Sequence, residues 1–150
     1  VAVWTGSEMI VWGGGPIDAN GNFSVALADG AAYEPRSDTW RSIHLAPGGL
    51  IAGAAVWTGT QMIVWGGSDS QGPTTRGYAY DPATDAWSTL TEDGAPAARV
   101  DFAAVWTGQS LVIWGGNEDD TSIPFTPNDG ATWFPMASPG IGDGGFGVGD

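Results

Sequence analysis

The sequence predicts an all-β chain, a β-propeller fragment of about three four-stranded antiparallel blades. Three observations carry this: a block that occurs three times, short apolar runs ending in glycine pairs, and no stretch with helical periodicity. Ala2-Val3-Trp4-Thr5-Gly6 returns as Ala55-Val56-Trp57-Thr58-Gly59 and as Ala104-Val105-Trp106-Thr107-Gly108, at intervals of 53 and 49 residues. Eight residues after each first tryptophan stands a second, in Trp12-Gly13-Gly14, Trp65-Gly66-Gly67 and Trp114-Gly115-Gly116. Units of this length, each with apolar faces to cover, suit sheets stacked about an axis, because one blade cannot hide its own faces.

Each unit reads as four strands. The Ala-Val-Trp run is the first, and it turns at Thr-Gly into the second, as in Gln61-Met62-Ile63-Val64-Trp65. That run is apolar on both faces and too short for a helix, as expected of a strand covered on both sides. The third strand carries a tyrosine, as in Gly77-Tyr78-Ala79-Tyr80, and an Asp-Pro turn leads to the fourth at a tryptophan. The segment Tyr33-Glu34-Pro35-Arg36-Ser37-Asp38-Thr39-Trp40 matches Tyr80-Asp81-Pro82-Ala83-Thr84-Asp85-Ala86-Trp87. In the third unit the match is set on Phe125 to Trp133, one residue longer. Pro47, Pro96 and Pro139 open the connections between units, which places the blades at about 1–46, 47–95 and 96–138. Residues 139–150 are a Gly-rich tail or the start of a further blade. The fixed spacing of the tryptophans assigns them to the core.

These marks resemble the kelch repeat: an apolar strand ending in Gly-Gly, then a Tyr, then a Trp after an Asp-containing turn. The resemblance runs from residue 1 to about 137, departs at Phe125 and the longer third turn, and implies fold more than function. Three blades left open would expose an apolar face at each end. Losing burial of roughly six large side chains there would cost about 10–20 kcal/mol, as much as a domain's whole stability of about 5–15 kcal/mol. Further blades of the same chain, or a second copy, are therefore expected to complete the ring. Val1 already stands inside a strand-like run, so preceding sequence with any targeting signal is also expected.

Composition narrows the partners. There are 17 acidic residues against four arginines, and the net charge is −13. That argues against nucleic acid and against an anionic membrane surface, both of which need cationic clusters. The absence of cysteine excludes disulfides, Cys-based zinc sites and thiol nucleophiles. No apolar run reaches the ~20 residues of a membrane span. Exported bacterial proteins share this repeat style, and with the acidic, lysine-free composition the resemblance implies an extracellular or periplasmic location.

Candidate binding residues fall where the repeats differ. The Thr-Gly turn keeps its length, whereas the distance from Gly-Gly to Tyr/Phe is 19, 13 and 9 residues. Variable loops on a fixed frame are where recognition resides, so the end formed by the two-to-three loops and four-to-one connections is the expected binding face. It carries Asp69 and Arg76 in the second unit and Asn117, Glu118, Asp119 and Asp120 in the third. Arg99 and Asp101 follow Pro96, at a place where arginine is common in the kelch family and where the previous unit has Leu50. Arg99 is either a structural tie to a neighbouring blade or a planar fork for a carboxylate or sugar. Asp18-Ala19-Asn20-Gly21-Asn22 has its glycine in the wrong place for a calcium loop and reads as a hairpin turn. His44, the single histidine, is expected to be inert surface.

The resemblance implies a binding or scaffold propeller that recognises a protein or a glycan. It leaves open a carbohydrate-active enzyme similar to sialic-acid epimerases, with Arg99, Asp101, Glu92 and Asp93 nearest to acid–base use. It also leaves open an assembly module that closes by oligomerisation. Copper oxidase chemistry is disfavoured by one histidine and no cysteine. No cofactor and no metal are expected.

Overall fold

A computed structural model describes residues 1–16, 19, 25–118 and 130–133. Asp119, Asp120, the turn around Asn20-Gly21, and residues 139–150 lie outside them. Every regular element among the described residues is a strand. β1 (Ala2–Trp4), β2 (Met9–Trp12), β3 (Gly30–Glu34) and β4 (Thr39–Ser42) pair in chain order as the first antiparallel sheet. β5 (Ala54–Trp57) and β6 (Met62–Trp65) follow. A ribbon of β7 (Ser68–Asp69) and β8 (Gly72–Pro73) then leads to β9 (Gly77–Asp81) and β10 (Ala86–Thr89). The second sheet is β5-β6-β9-β10, again antiparallel between neighbours. The third holds β11 (Ala103–Trp106), β12 (Leu111–Trp114) and β13 (Gly130–Trp133). Its fourth strand is not among the described residues. The first two sheets have the four strands expected of a blade, and nothing among the described residues closes the stack into a ring.

The same local chemistry recurs at each turn. Thr5, Thr58 and Thr107 place their hydroxyls beneath the strand-one turn, accepting from the N–H of Glu8, Gln61 and Ser110. The following glycines have φ near +100°, a region closed to most L-residues, which is why Thr-Gly keeps both its identity and its length. At the β3–β4 and β9–β10 turns, Asp38 and Asp85 sit at φ 53° and 52°. Their carboxylates accept the tyrosine hydroxyls, Tyr33 to Asp38 at 2.8 Å and Tyr80 to Asp85 at 2.7 Å. Aspartate tolerates this left-handed backbone and locks the hairpin to the third strand at once.

The third unit corrects the sequence register. Trp133 pairs with Leu111, as Tyr33 pairs with Met9 and Tyr80 with Met62. Gly130 pairs with Trp114, as Gly30 pairs with Trp12 and Gly77 with Trp65. Trp133 is therefore the strand-three aromatic, not the strand-four tryptophan, and Phe125 is not the counterpart of Tyr80. The reason is steric. A Cβ on Gly77 would stand 2.9 Å from the Trp65 ring, and one on Gly130 would overlap the Trp114 ring. Each second-strand tryptophan lies across the start of strand three and permits only glycine there.

Two apolar layers join the sheets. Val3, Ile10, Ala32 and Trp12 of the first face Met62, Val64, Tyr78 and Tyr80 of the second. Val56, Ile63, Ala79 and Trp65 of the second face Leu111, Ile113 and Trp133 of the third. Trp12 packs on Tyr78 and Trp87, and Trp65 on Phe102 and Trp133, with ring centroids 5.2–6.1 Å apart. The expectation that every tryptophan is core fails for Trp4, Trp40 and Trp114, each more than half exposed. They stand on the outer faces of sheets one and three, where no further sheet is described.

Candidate functional site

The two-to-three loops and four-to-one connections are joined by main-chain hydrogen bonds. Ile51 and Ser68 bridge in the second unit, and Val100 and Asn117 in the third. Gly14 N–H reaches Leu50 O and Gly67 N–H reaches Arg99 O, so the first two glycine pairs also hold the next unit's connection. The variable end is thus a floor of paired backbone carrying the loops.

In that floor, between sheets one and two, lies a cleft of about 320 Å³. Val25, Ala26, Gly48 and Gly49 come from the first unit and its connection; Ile51, Asp69, Ser70 and Arg76 come from the second. Asp69 ends β7 and caps its own turn by accepting the Gln71 N–H at 2.8 Å. Its other oxygen accepts from Arg76 Nη1 at 2.8 Å, an ion pair in which the arginine is mostly exposed and the aspartate is not. The ribbon and the ion pair hold a donor fork at the cleft wall, beside the apolar Val25 and Ile51. Gly48 leaves room for the Tyr78 hydroxyl, which would lie 2.8 Å from a Cβ there; burial pushes that phenol's pKa up.

The other candidates separate. Arg99 is 4% exposed, donating from Nε to Ala97 O at 3.1 Å and from Nη1 to Gly115 O at 2.9 Å, with Glu118 3.6 Å away. Its guanidinium bonds main-chain carbonyls of its own unit, and its carbonyl accepts from Gly67 of the neighbouring sheet. Asn117 and Glu118 stand beside it, whereas Asp101 is exposed, with φ 54°, and donates its N–H to Ala52 O. Glu92 accepts from the Thr75 hydroxyl. Arg99, Asp101 and Glu92 thus have different hydrogen-bond partners. Among the described residues no group of carboxylates and histidines is spaced to hold a metal ion.

Sequence reasoning misses His44. Its N–H and its Nδ1 both lie 3.0 Å from Asp85, while its carbonyl accepts the Trp87 indole N–H at 2.8 Å. Arg41, in β4 three residues before His44, adds a contact to the Tyr80 hydroxyl at 3.3 Å and a two-oxygen contact to Glu8. The His44 N–H and ring, with the Tyr80 hydroxyl, hold the Asp85 carboxyl far below its usual range. This polar clasp joins the outer edges of sheets one and two.

The second sheet, its Asp-locked hairpin and its Gly-Gly floor form one four-stranded unit that coincides with a known repeat. Residues 53–93 match the kelch motif. The same strand register recurs outside the matched segment, at Trp12–Gly30 in sheet one and Trp114–Gly130 in sheet three. No curated protein matches the chain.

Proposed function

We propose that the chain is a binding module that takes a protein segment or a glycan at its variable end, in the cleft between sheets one and two. The observation that carries this is the cleft itself, which sets the exposed Arg76 donors and Asp69 against an apolar wall on a rigid backbone floor. Kelch repeat domains generally serve as binding propellers, and the rigid sheet and variable loop suit that use. The Asp69–Arg76 pair is close to neutral within a chain of net charge −13. A neutral or hydroxyl-rich surface therefore suits the cleft better than a strong anion. Such a role fits a location outside the cytoplasm, the extracellular or periplasmic setting that the resemblance implies.

The test is retention on glycan and peptide arrays, followed by titration of the hits. Arg76→Ala and Asp69→Ala should each weaken binding by about tenfold or more, equivalent to about 1.4 kcal/mol, with unchanged circular dichroism. Retention that survives both substitutions would move the site elsewhere. No retention on any array would remove the reading.

A further inference from the structure

One polar group beside the cleft is left without a partner. Tyr78 is 4% exposed and packs its ring edge-on against Trp12 and Trp87, in the junction between sheets one and two. Its hydroxyl would lie 2.8 Å from a Cβ on Gly48, which lines the cleft. The ladder runs one residue beyond β9, with Gly66 N–H donating to Arg76 O, so Arg76 and Tyr78 stand two apart on one face of the strand. Burial raises the pKa of the phenol, and the charges of Arg76, Asp69 and Glu92 bear on it as well. The hydroxyl nevertheless has no hydrogen-bond partner among the described residues, whereas Tyr33 and Tyr80 give theirs to Asp38 and Asp85. A buried hydroxyl without a partner costs stability, and an incoming ligand can satisfy it.

The neighbouring ion pair has capacity to spare. Asp69 accepts from Gln71 N–H and Arg76 Nη1, which fills about two of a carboxylate's roughly four acceptor sites. Arg76 gives Asp69 one of a guanidinium's about five N–H donors and is mostly exposed. An acceptor and a donor thus stand side by side. A ligand group with a single charge meets a like charge there, a carboxylate meeting Asp69 and an ammonium meeting Arg76. A primary carboxamide fits both, its oxygen accepting from Arg76 or Tyr78 and its NH2 donating to Asp69. The rest of the lining suits a peptide better than a sugar. None of the described residues lining the cleft is aromatic, so a pyranose has no ring face to stack on. Gly48 and Gly49 carry no side chains, and no main-chain hydrogen bond ties them to another described residue, so their peptide groups can pair with those of an extended segment.

We propose that the cleft takes an uncharged, extended peptide segment, and that Tyr78 joins Asp69 and Arg76 in reading a carboxamide side chain, Asn or Gln, on it. This rests on the cleft being the binding site. Tyr78 supplies selectivity because its hydroxyl is already in place. The ring is held against Trp12 and Trp87, so the group loses little freedom when a ligand arrives. A glutamate or aspartate in place of the carboxamide would bring a second negative charge against Asp69, in a chain whose net charge is already −13.

The experiment screens the chain against short capped peptides in matched sets, which differ only in whether the central residue is Gln, Asn, Glu, Lys or Leu, and against a neutral glycan array. Retained peptides are then titrated with wild type, Tyr78→Phe and Gly48→Ala. The Gln or Asn member of a set should bind about tenfold tighter than its Glu, Lys and Leu counterparts. Tyr78→Phe should weaken that binding about three- to tenfold. Its urea midpoint should equal or exceed that of wild type, because the hydroxyl has no partner to lose among the described residues. A merely structural tyrosine would do the reverse, lowering the midpoint and leaving binding unchanged. Gly48→Ala, whose Cβ crowds the hydroxyl, is the second variant and should weaken the same peptides. Equal affinity across each matched set overturns the proposal, as does equal affinity of wild type and Tyr78→Phe. Retention of glycans alone also overturns it and leaves the cleft standing as a binding site. Retention on neither array removes both.

Discussion

Truncating the second-strand tryptophan in each unit tests the stacking directly, because one repeat position samples three environments. Trp12 is 2% exposed and Trp65 1%, whereas Trp114 is 54% exposed. Removing a fully buried tryptophan side chain costs about 3–5 kcal/mol through lost transfer energy and the cavity left behind. Trp114 has about half its surface in water already and leaves no enclosed cavity, so Trp114→Ala should cost about half as much, about 1.5–2.5 kcal/mol. For a chain of this size the difference of roughly 2 kcal/mol corresponds to about 4–8 °C in Tm. A finer contrast separates Trp12 from Trp65. The Trp12 indole donates to Ala28 O at 3.0 Å, while the buried Trp65 N–H finds no partner among the described residues. Trp12→Phe should therefore cost about 1 kcal/mol more than Trp65→Phe. The assay is urea unfolding followed by far-ultraviolet circular dichroism, since nine tryptophans confuse fluorescence. It is run at the lowest workable concentration, so that a second copy does not cover Trp114. Equal losses for Trp12→Ala and Trp114→Ala in that dilute limit would refute the stacking order.

Other substitutions probe single contacts. Gly77→Ala places a Cβ 2.8 Å from Leu90 and 2.9 Å from the Trp65 ring, and should cost about 1–3 kcal/mol in thermal unfolding. Arg99→Ala orphans the carbonyls of Ala97 and Gly115 and should destabilise by about 2–4 kcal/mol, whereas Arg99→Leu, which copies Leu50 of the previous unit, should recover part of the loss. Asp85 has a native pKa below its ordinary 3.8, so its contribution is present above that value and is lost as pH falls through the native one. Wild type should exceed Asp85→Asn in urea midpoint at neutral pH, and the gap should narrow as pH drops from about 5 to about 2. A constant gap would show that the carboxylate charge plays no part in the clasp.

The sheets are legible because what repeats in the sequence is what the stacking demands. Thr-Gly, Gly-Gly, Tyr and Asp recur since each meets a fixed backbone requirement, such as the left-handed Asp38 and Asp85 that accept their tyrosines. In the third unit, residue type alone misleads, because it makes Trp133 a strand-four tryptophan. A better signal stands beside it. Gly130-Ala131-Thr132-Trp133-Phe134-Pro135 has the Gly-x-x-aromatic-x-Pro spacing of Gly30 to Pro35 and Gly77 to Pro82. The glycine, required by the tryptophan across it, sets the register more firmly than the identity of the aromatic residue. His44 escapes for a different reason. Its partner Asp85 lies in another sheet, and its own N–H and carbonyl make two of the three contacts. Backbone groups carry no sequence signature.

The cleft is legible only in part, and the same physics explains why. Comparing repeats reveals positions under a common constraint, and it locates the variable end because that constraint lapses there. It cannot pair Asp69 with Arg76, since the ribbon that brings them together occurs in the second unit alone among the described residues. Nor can spacing assign Val25, Ala26 and Gly49 to the opposite wall, because sheet stacking, not chain distance, brings them there. Arg99 shows the converse. As a charged residue on a variable connection it has the marks of a ligand contact, yet its guanidinium is buried against main-chain carbonyls at a position that Leu50 fills in the previous unit. A position that accepts either a braced arginine or a leucine is governed by packing. Arg76, by contrast, lines the open cleft, mostly exposed and paired with Asp69.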